Sequence, residues 1–183
     1  MDPFEDCLSK GRLKRIRPDA ELIAAELAVA RGEFERARAS YVKGHWDESI
    51  TQSYFAMYRC ARAVIHSLGY RDTNVYGLCV ALQSLLVDND PTVDRDTVRQ
   101  IRAAKDLKDG VYGGYRGAPR EARNLLQWTL RLAKAVFGRL SLPGFDPSDI
   151  NTTMPRRPDP KRARRRPRPR RPFGGEDGVS FRR

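Results

Sequence analysis

The chain has 183 residues, 40% of them hydrophobic and 32% charged, which is enough for one domain with a real core, and it carries a formal charge of +12. No apolar run is long enough to span a bilayer, and the opening Met-Asp-Pro-Phe-Glu-Asp lacks the basic and apolar regions of a secretory signal, so a cytoplasmic protein is expected. Cys7, Cys60 and Cys79 are odd in number and none are paired at zinc-ligand spacing, so the expectation is buried reduced thiols, no metal and no other cofactor.

Residues 1–18 mix charges with Gly11 and Pro18 and show no sustained periodicity, although Lys10, Arg12, Lys14, Arg15 and Arg17 form a basic cluster. A mobile basic lead-in with no more than a helical turn is expected there. Asp19 follows as an N-cap, because its carboxylate can accept from the free amides of a first turn. Ile23, Leu27, Ala30, Phe34, Ala37 and Tyr41 then step by four and three, the stripe of an amphipathic helix. Glu21, Glu26, Glu33, Glu35, Arg36, Arg38 and Lys43 largely fill its other faces, and Gly44 closes it. The short connection over residues 43–47 makes the next helix an antiparallel neighbour.

That second helix is the centre of the predicted fold. Ile50, Tyr54, Met57, Ala61, Val64 and Leu68 form one stripe, while Ser53, Ala56, Cys60 and Ala63 leave an adjoining face small enough for close approach. Gly69 supplies the stop. Val75, Leu78, Cys79, Leu82, Leu85 and Leu86 define a third helix of about four turns, ended by Asp88-Asn89-Asp90-Pro91. A fourth is expected over about 94–107 with Val98, Ile101 and Ala104 inward, followed by a glycine-rich loop over 110–117. Pro119 opens a fifth helix whose Ala122, Leu125, Leu126, Trp128, Leu132, Val136, Phe137 and Leu140 form a broad apolar face. No alternating strand pattern is visible. The predicted fold is all-α, an up-and-down bundle of about five helices over residues 19–142.

Residues 143–183 change character. Within 155–172 there are six prolines and ten basic residues, a composition that cannot bury enough apolar surface to offset ordering entropy, so a disordered tail is expected. Residues 155–183 hold 12 Lys or Arg against 3 Asp or Glu, which places +9 of the +12 in the tail. Arg162, Arg164, Arg165, Arg166, Arg168, Arg170 and Arg171 put positive charge on a proline-stiffened chain that matches polyphosphate, and Phe173 and Phe181 are available to stack on unpaired bases. Binding of this kind is salt-sensitive and largely sequence-independent.

The central stretch Ser-Tyr-Phe-Ala-Met-Tyr-x-x-Ala-Arg-Ala at 53–63, with the Gly-Tyr-Arg at 69–71, resembles the second helix of HEPN domains, a family of small all-α proteins, and the likeness covers roughly residues 20–140. Catalytic members of that family are metal-independent ribonucleases that carry Arg, four to six residues, then His late in the domain. The corresponding place here, residues 105–112, reads Lys-Asp-Leu-Lys-Asp-Gly-Val-Tyr and has no His. Lys108, Asp109 and Tyr112 are the residual catalytic candidates, although a phenol near pKa ~10 is a poor general base at neutral pH. Arg59 and His66 satisfy the spacing but lie in the second helix, and they are expected to be a helix-face pair meeting solvent or a partner. His45 is assigned to a helix end. Some members of the family are toxins modified on a Tyr near the motif by a nucleotidyltransferase, which makes Tyr112 and Tyr115 modification candidates.

The resemblance implies a dimeric, non-catalytic interaction module that works with a nucleotidyltransferase-type partner in a toxin–antitoxin or defence setting, and the charge of the tail adds nucleic-acid binding, with RNA expected in preference to DNA. Two alternatives remain: a metal-independent RNA endonuclease with a divergent site, and a simple dimeric nucleic-acid-binding protein whose bundle only joins two tails.

Overall fold

In the computed structural model, residues 2–90, 93–140 and 154–156 are described. The elements in chain order are α1 (Pro3–Ser9), β1 (Leu13–Arg15), α2 (Ala20–Val42), α3 (Trp46–Ser67), β2 (Tyr70–Asp72), α4 (Val75–Leu82), which continues as a π-helical turn (Gln83–Val87), α5 (Thr97–Tyr112) and α6 (Pro119–Leu140). The fold is an all-α bundle, as the apolar stripes required. No helix among the described residues is long and apolar enough to cross a membrane.

The ends of the helices have local causes. Asp19 accepts from the amides of Glu21 at 2.9 Å and Leu22 at 3.3 Å and so opens α2. Gly44 (φ 77°) and Gly69 (φ 83°) turn the chain after α2 and α3 in a conformation that L side chains resist. Asn74 accepts from the Gly77 amide at 2.8 Å and starts α4.

Side-chain contacts fix the directions of the four long helices. Ser40 bonds Gln52, and Glu26 pairs with Arg59 and Arg62, so α2 and α3 run antiparallel. Lys108 lies over Tyr54, while Thr97 and Gln100 share a cavity with Val64, so α5 is antiparallel to α3. The Asp47 carboxylate accepts from the Gly117 amide and the Ser53 carbonyl accepts from Thr129, so α6 is parallel to α3. The four helices therefore alternate up and down around α3, on which Ile50, Met57, Ala61, Val64 and Ile65 are all buried.

Several expectations need correction. The lead-in is folded: Phe4, Cys7 and Leu13 are buried, Phe4 meets the Tyr70 ring edge-on at 5.2 Å, and α1 and β1 dock on the bundle. A sheet also exists, with β1 and β2 antiparallel in the register Leu13↔Asp72, Lys14↔Arg71 and Arg15↔Tyr70. Strands of three residues are too short to show alternation, and their pairing is non-local. The fourth predicted helix starts later and runs further, to Tyr112, so Gly110 is helical and only residues 113–118 form the connection. Glu26, assigned to an outward face, is buried. Arg162, Arg164, Arg165, Arg166, Arg168, Arg170 and Arg171 lie outside the described residues; within the predicted tail, Met154 packs against the core.

Candidate functional site

The structure brings Lys108, Asp109 and Tyr112 together on the last two turns of α5 and adds a residue from the central helix. Lys108 Nζ lies 5.2 Å from the centroid of the Tyr54 ring and 5.2 Å from that of Tyr112, a cation between two aromatic rings. It also pairs with Asp109 Oδ1 at 2.5 Å, and Lys105 takes the other carboxylate oxygen. Bonds from Lys105 and then Lys108 hold the Asp109 carboxyl below the usual carboxylate range. Burial, followed by the charge of Asp109, pushes the Tyr54 phenol up to about 12. At neutral pH the cluster therefore offers a fixed cation, a committed carboxylate and a neutral phenol that can donate but not take a proton.

Tyr112 is 69% exposed and Tyr115 46% exposed. The Tyr115 phenol donates to both oxygens of Glu121, at 2.8 and 3.0 Å, and this bond raises its pKa. Of the two tyrosines named as modification candidates, Tyr112 presents its ring more openly.

The polar seam continues along α3 through residues that, Arg59 apart, sequence reasoning did not single out as a site. Tyr54 stacks on Tyr58, with centroids 6.1 Å apart, and Tyr58 Oη donates to Asp72 Oδ2 at 2.8 Å. Arg62 bridges Asp72 and Glu26, each at 3.1 Å, and Arg59 adds a bond to Glu26 at 3.0 Å. Burial and the bond to Asp72 raise the Tyr58 phenol. Glu26 and Asp72 come from α2 and β2, so this network ties three elements together at the side of α3. The available signal was Glu26, one residue before Leu27 of the buried stripe.

The Arg59 and His66 pair is also corrected. His66 is fully buried, neither ring nitrogen has a hydrogen-bond partner among the described residues, and burial followed by the Arg62 charge lowers its pKa. Arg59 is committed to Glu26. His45 stands at the N-cap position of α3, as expected, but its side chain makes no capping bond.

The connection over 113–118 is a plain helix link. Asp47 Oδ1 already occupies the Gly117 amide at 2.7 Å, and Ile50 Cδ1 is so close to Gly117 that a Cβ would not fit. A carboxylate already occupies the amide that a phosphate on this connection would need. Comparison with known proteins gives no match: no family model, no curated protein and no solved structure aligns with the chain.

Proposed function

We propose that the chain is a HEPN-like, non-catalytic interaction module that dimerises through its helices, contacts RNA through its basic tail and presents its bundle to a nucleotidyltransferase-type partner in a toxin–antitoxin or defence setting. The observation that carries this reading is the state of the α5 cluster, where Lys105 and Lys108 both hold the Asp109 carboxylate beside a Tyr54 phenol of pKa about 12, an arrangement that binds but does not shuttle protons at pH 7. The exposure of Tyr112 beside it supports the partner. Its Oη would attack the α-phosphorus of ATP, the bond to pyrophosphate would break, and the phenolic proton would pass to the transferase, leaving a nucleotidyl-tyrosine.

The colocation of Lys108, Asp109 and Tyr112 favours one second reading, a metal-independent endonuclease. One gel separates the two. Labelled single-stranded RNA is incubated in EDTA, at low and moderate salt, with the full chain and with a full-length variant carrying glutamine at Arg162, Arg164, Arg165, Arg166, Arg168, Arg170 and Arg171. Salt-sensitive retention by the native chain alone, with intact RNA, is expected. Cleavage that disappears in Lys108→Ala or Tyr112→Phe would replace the module with a nuclease. Exposure to a cognate transferase and ATP should add one nucleotidyl mass on Tyr112.

A further inference from the structure

At the end of the bundle where α2 finishes and α6 begins, Tyr41, Pro119, Arg120 and Arg123 line an open cleft of about 300 Å³. We propose that this cleft is a phosphate-binding site of the folded bundle, distinct from the tail and independent of what the tail does.

Four features converge on it. First, Arg120 and Arg123 are three residues apart on α6, so they share a face; both are exposed, and neither has an ion pair among the described residues. Second, the cleft opens on the first turn of a 22-residue helix. Pro119 has no N–H, the Ala118 amide is taken by Glu121 Oε2 at 2.8 Å, and the amides of Arg120 and Glu121 have no acceptor within the helix. Third, Tyr41 is 1% exposed and its ring is wedged edge-on against Trp46 at 5.2 Å, yet its phenol makes no hydrogen bond among the described residues. Only the buried side-chain atoms of Ser49, Ser53 and His66 lack a partner among the described residues, so the phenol oxygen of Tyr41 is not sealed in the core, and the open space beside Tyr41 is this cleft. Fourth, the acidic side chains near that first turn are already committed, Glu121 to the Ala118 amide and the Tyr115 phenol and Asp47 to the Gly117 amide and Arg116, and neither lines the cleft.

The donor set selects the ligand. Two planar guanidinium forks, a phenol and the Arg120 amide offer more donors than the two oxygens of a carboxylate can use, and they match the several oxygens of a phosphate. A volume of about 300 Å³ is at the lower end for ligand pockets, so the phosphate is held while any base attached to it stays at the rim. The phosphate could come from a free nucleotide or from a nucleic-acid strand, since both present the same oxygens.

The test is a backbone NMR titration of the full chain at constant ionic strength with inorganic phosphate, with AMP and with a dinucleoside monophosphate. Saturable shifts are expected at the amides of residues 120–123 and at Tyr41. Arg120→Ala and Arg123→Ala should each weaken them about tenfold, and Tyr41→Phe, which keeps the ring against Trp46, should weaken them about threefold to tenfold. Saturation by the diester assigns the source to a strand; saturation only by AMP and inorganic phosphate assigns it to a free nucleotide. Shifts confined to residues 155–183, or shifts at 120–123 that survive all three substitutions, would overturn the proposal, and because tail and cleft report separately, failure of one reading is distinct from failure of the other.

Discussion

The Arg62 guanidinium lies between two carboxylates that water hardly reaches, with side-chain exposures of 7% at Glu26 and 1% at Asp72. Removing one member of such a set strands a buried charge, at a cost of about 3–5 kcal/mol. His66 sits beside this network with Arg62 on its own helix, Glu26 on α2 and Asp72 and Arg71 on β2 as its charged neighbours. Its folded pKa is lowered from 6.5, so below that pH the unfolded chain binds a proton that the native chain refuses. Stability attached to His66 is therefore complete above pH 6.5 and declines as pH falls, by up to about 1.4 kcal/mol per unit, until the folded pKa is reached. Urea titrations across this window should show that slope in the native chain and a flatter one in His66→Met; equal slopes would mean His66 is protonated in the fold. Single residues were legible in sequence where a local partner defined them, as Asp19 was defined by the amides after it. Glu26 was not, because Arg59 and Arg62, which pair with it, come from another helix, and His66 was not, because its burial is set by the elements packed around α3.

Among elements, the docking of the N-terminal segment depends on one close approach. A Cβ on Gly77 would lie 2.5 Å from the Arg12 carbonyl oxygen, which already accepts from the Thr73 amide at 3.0 Å. Gly77→Ala forces backbone apart at a cost of about 1–3 kcal/mol, and the gain in helix propensity of about 1 kcal/mol does not offset it. Gly32 in α2 meets only the flexible end of Arg36 at 3.5 Å, so Gly32→Ala should stabilise by about 0.5–1 kcal/mol. Urea denaturation of the two variants should shift in opposite directions. The five predicted helices correspond to α2, α3, α4 with its π turn, α5 and α6, because long stripes carry their own periodicity. α1, β1 and β2 escaped because each is short and is held by contacts to distant residues. The end of α5 was misplaced because Gly110, read as a loop residue, is covered in the helix by Tyr115, whose Cβ lies 3.6 Å from where a Gly110 Cβ would be.

At the scale of the molecule, the alternation of the four long helices sorts chemistry by end. The C-termini of α2 and α5 and the N-termini of α3 and α6 share one end, which gathers Tyr41, Lys108, Tyr112, Tyr115, Arg120 and Arg123. The sheet and the end of α6 occupy the other. Sequence reasoning grouped Lys108 and Tyr112 because they are close in the chain at the end of the fourth predicted helix, and it missed Tyr41, Arg120 and Arg123 because their meeting depends on how α2 and α6 pack. The three thiols add a separate reading of the same architecture. Cys7, Cys60 and Cys79 are buried and unpaired, one each in α1, α3 and α4, and burial raises the pKa of all three, that of Cys60 to about 12. Each can react with an alkylating reagent only when its own helix opens, so the chain carries three internal clocks, and their order of modification measures the order in which the fold comes apart. Cys7 should be labelled first, when the short docked segment lifts away, and Cys60 last, since exposing it requires the central helix itself to leave the bundle.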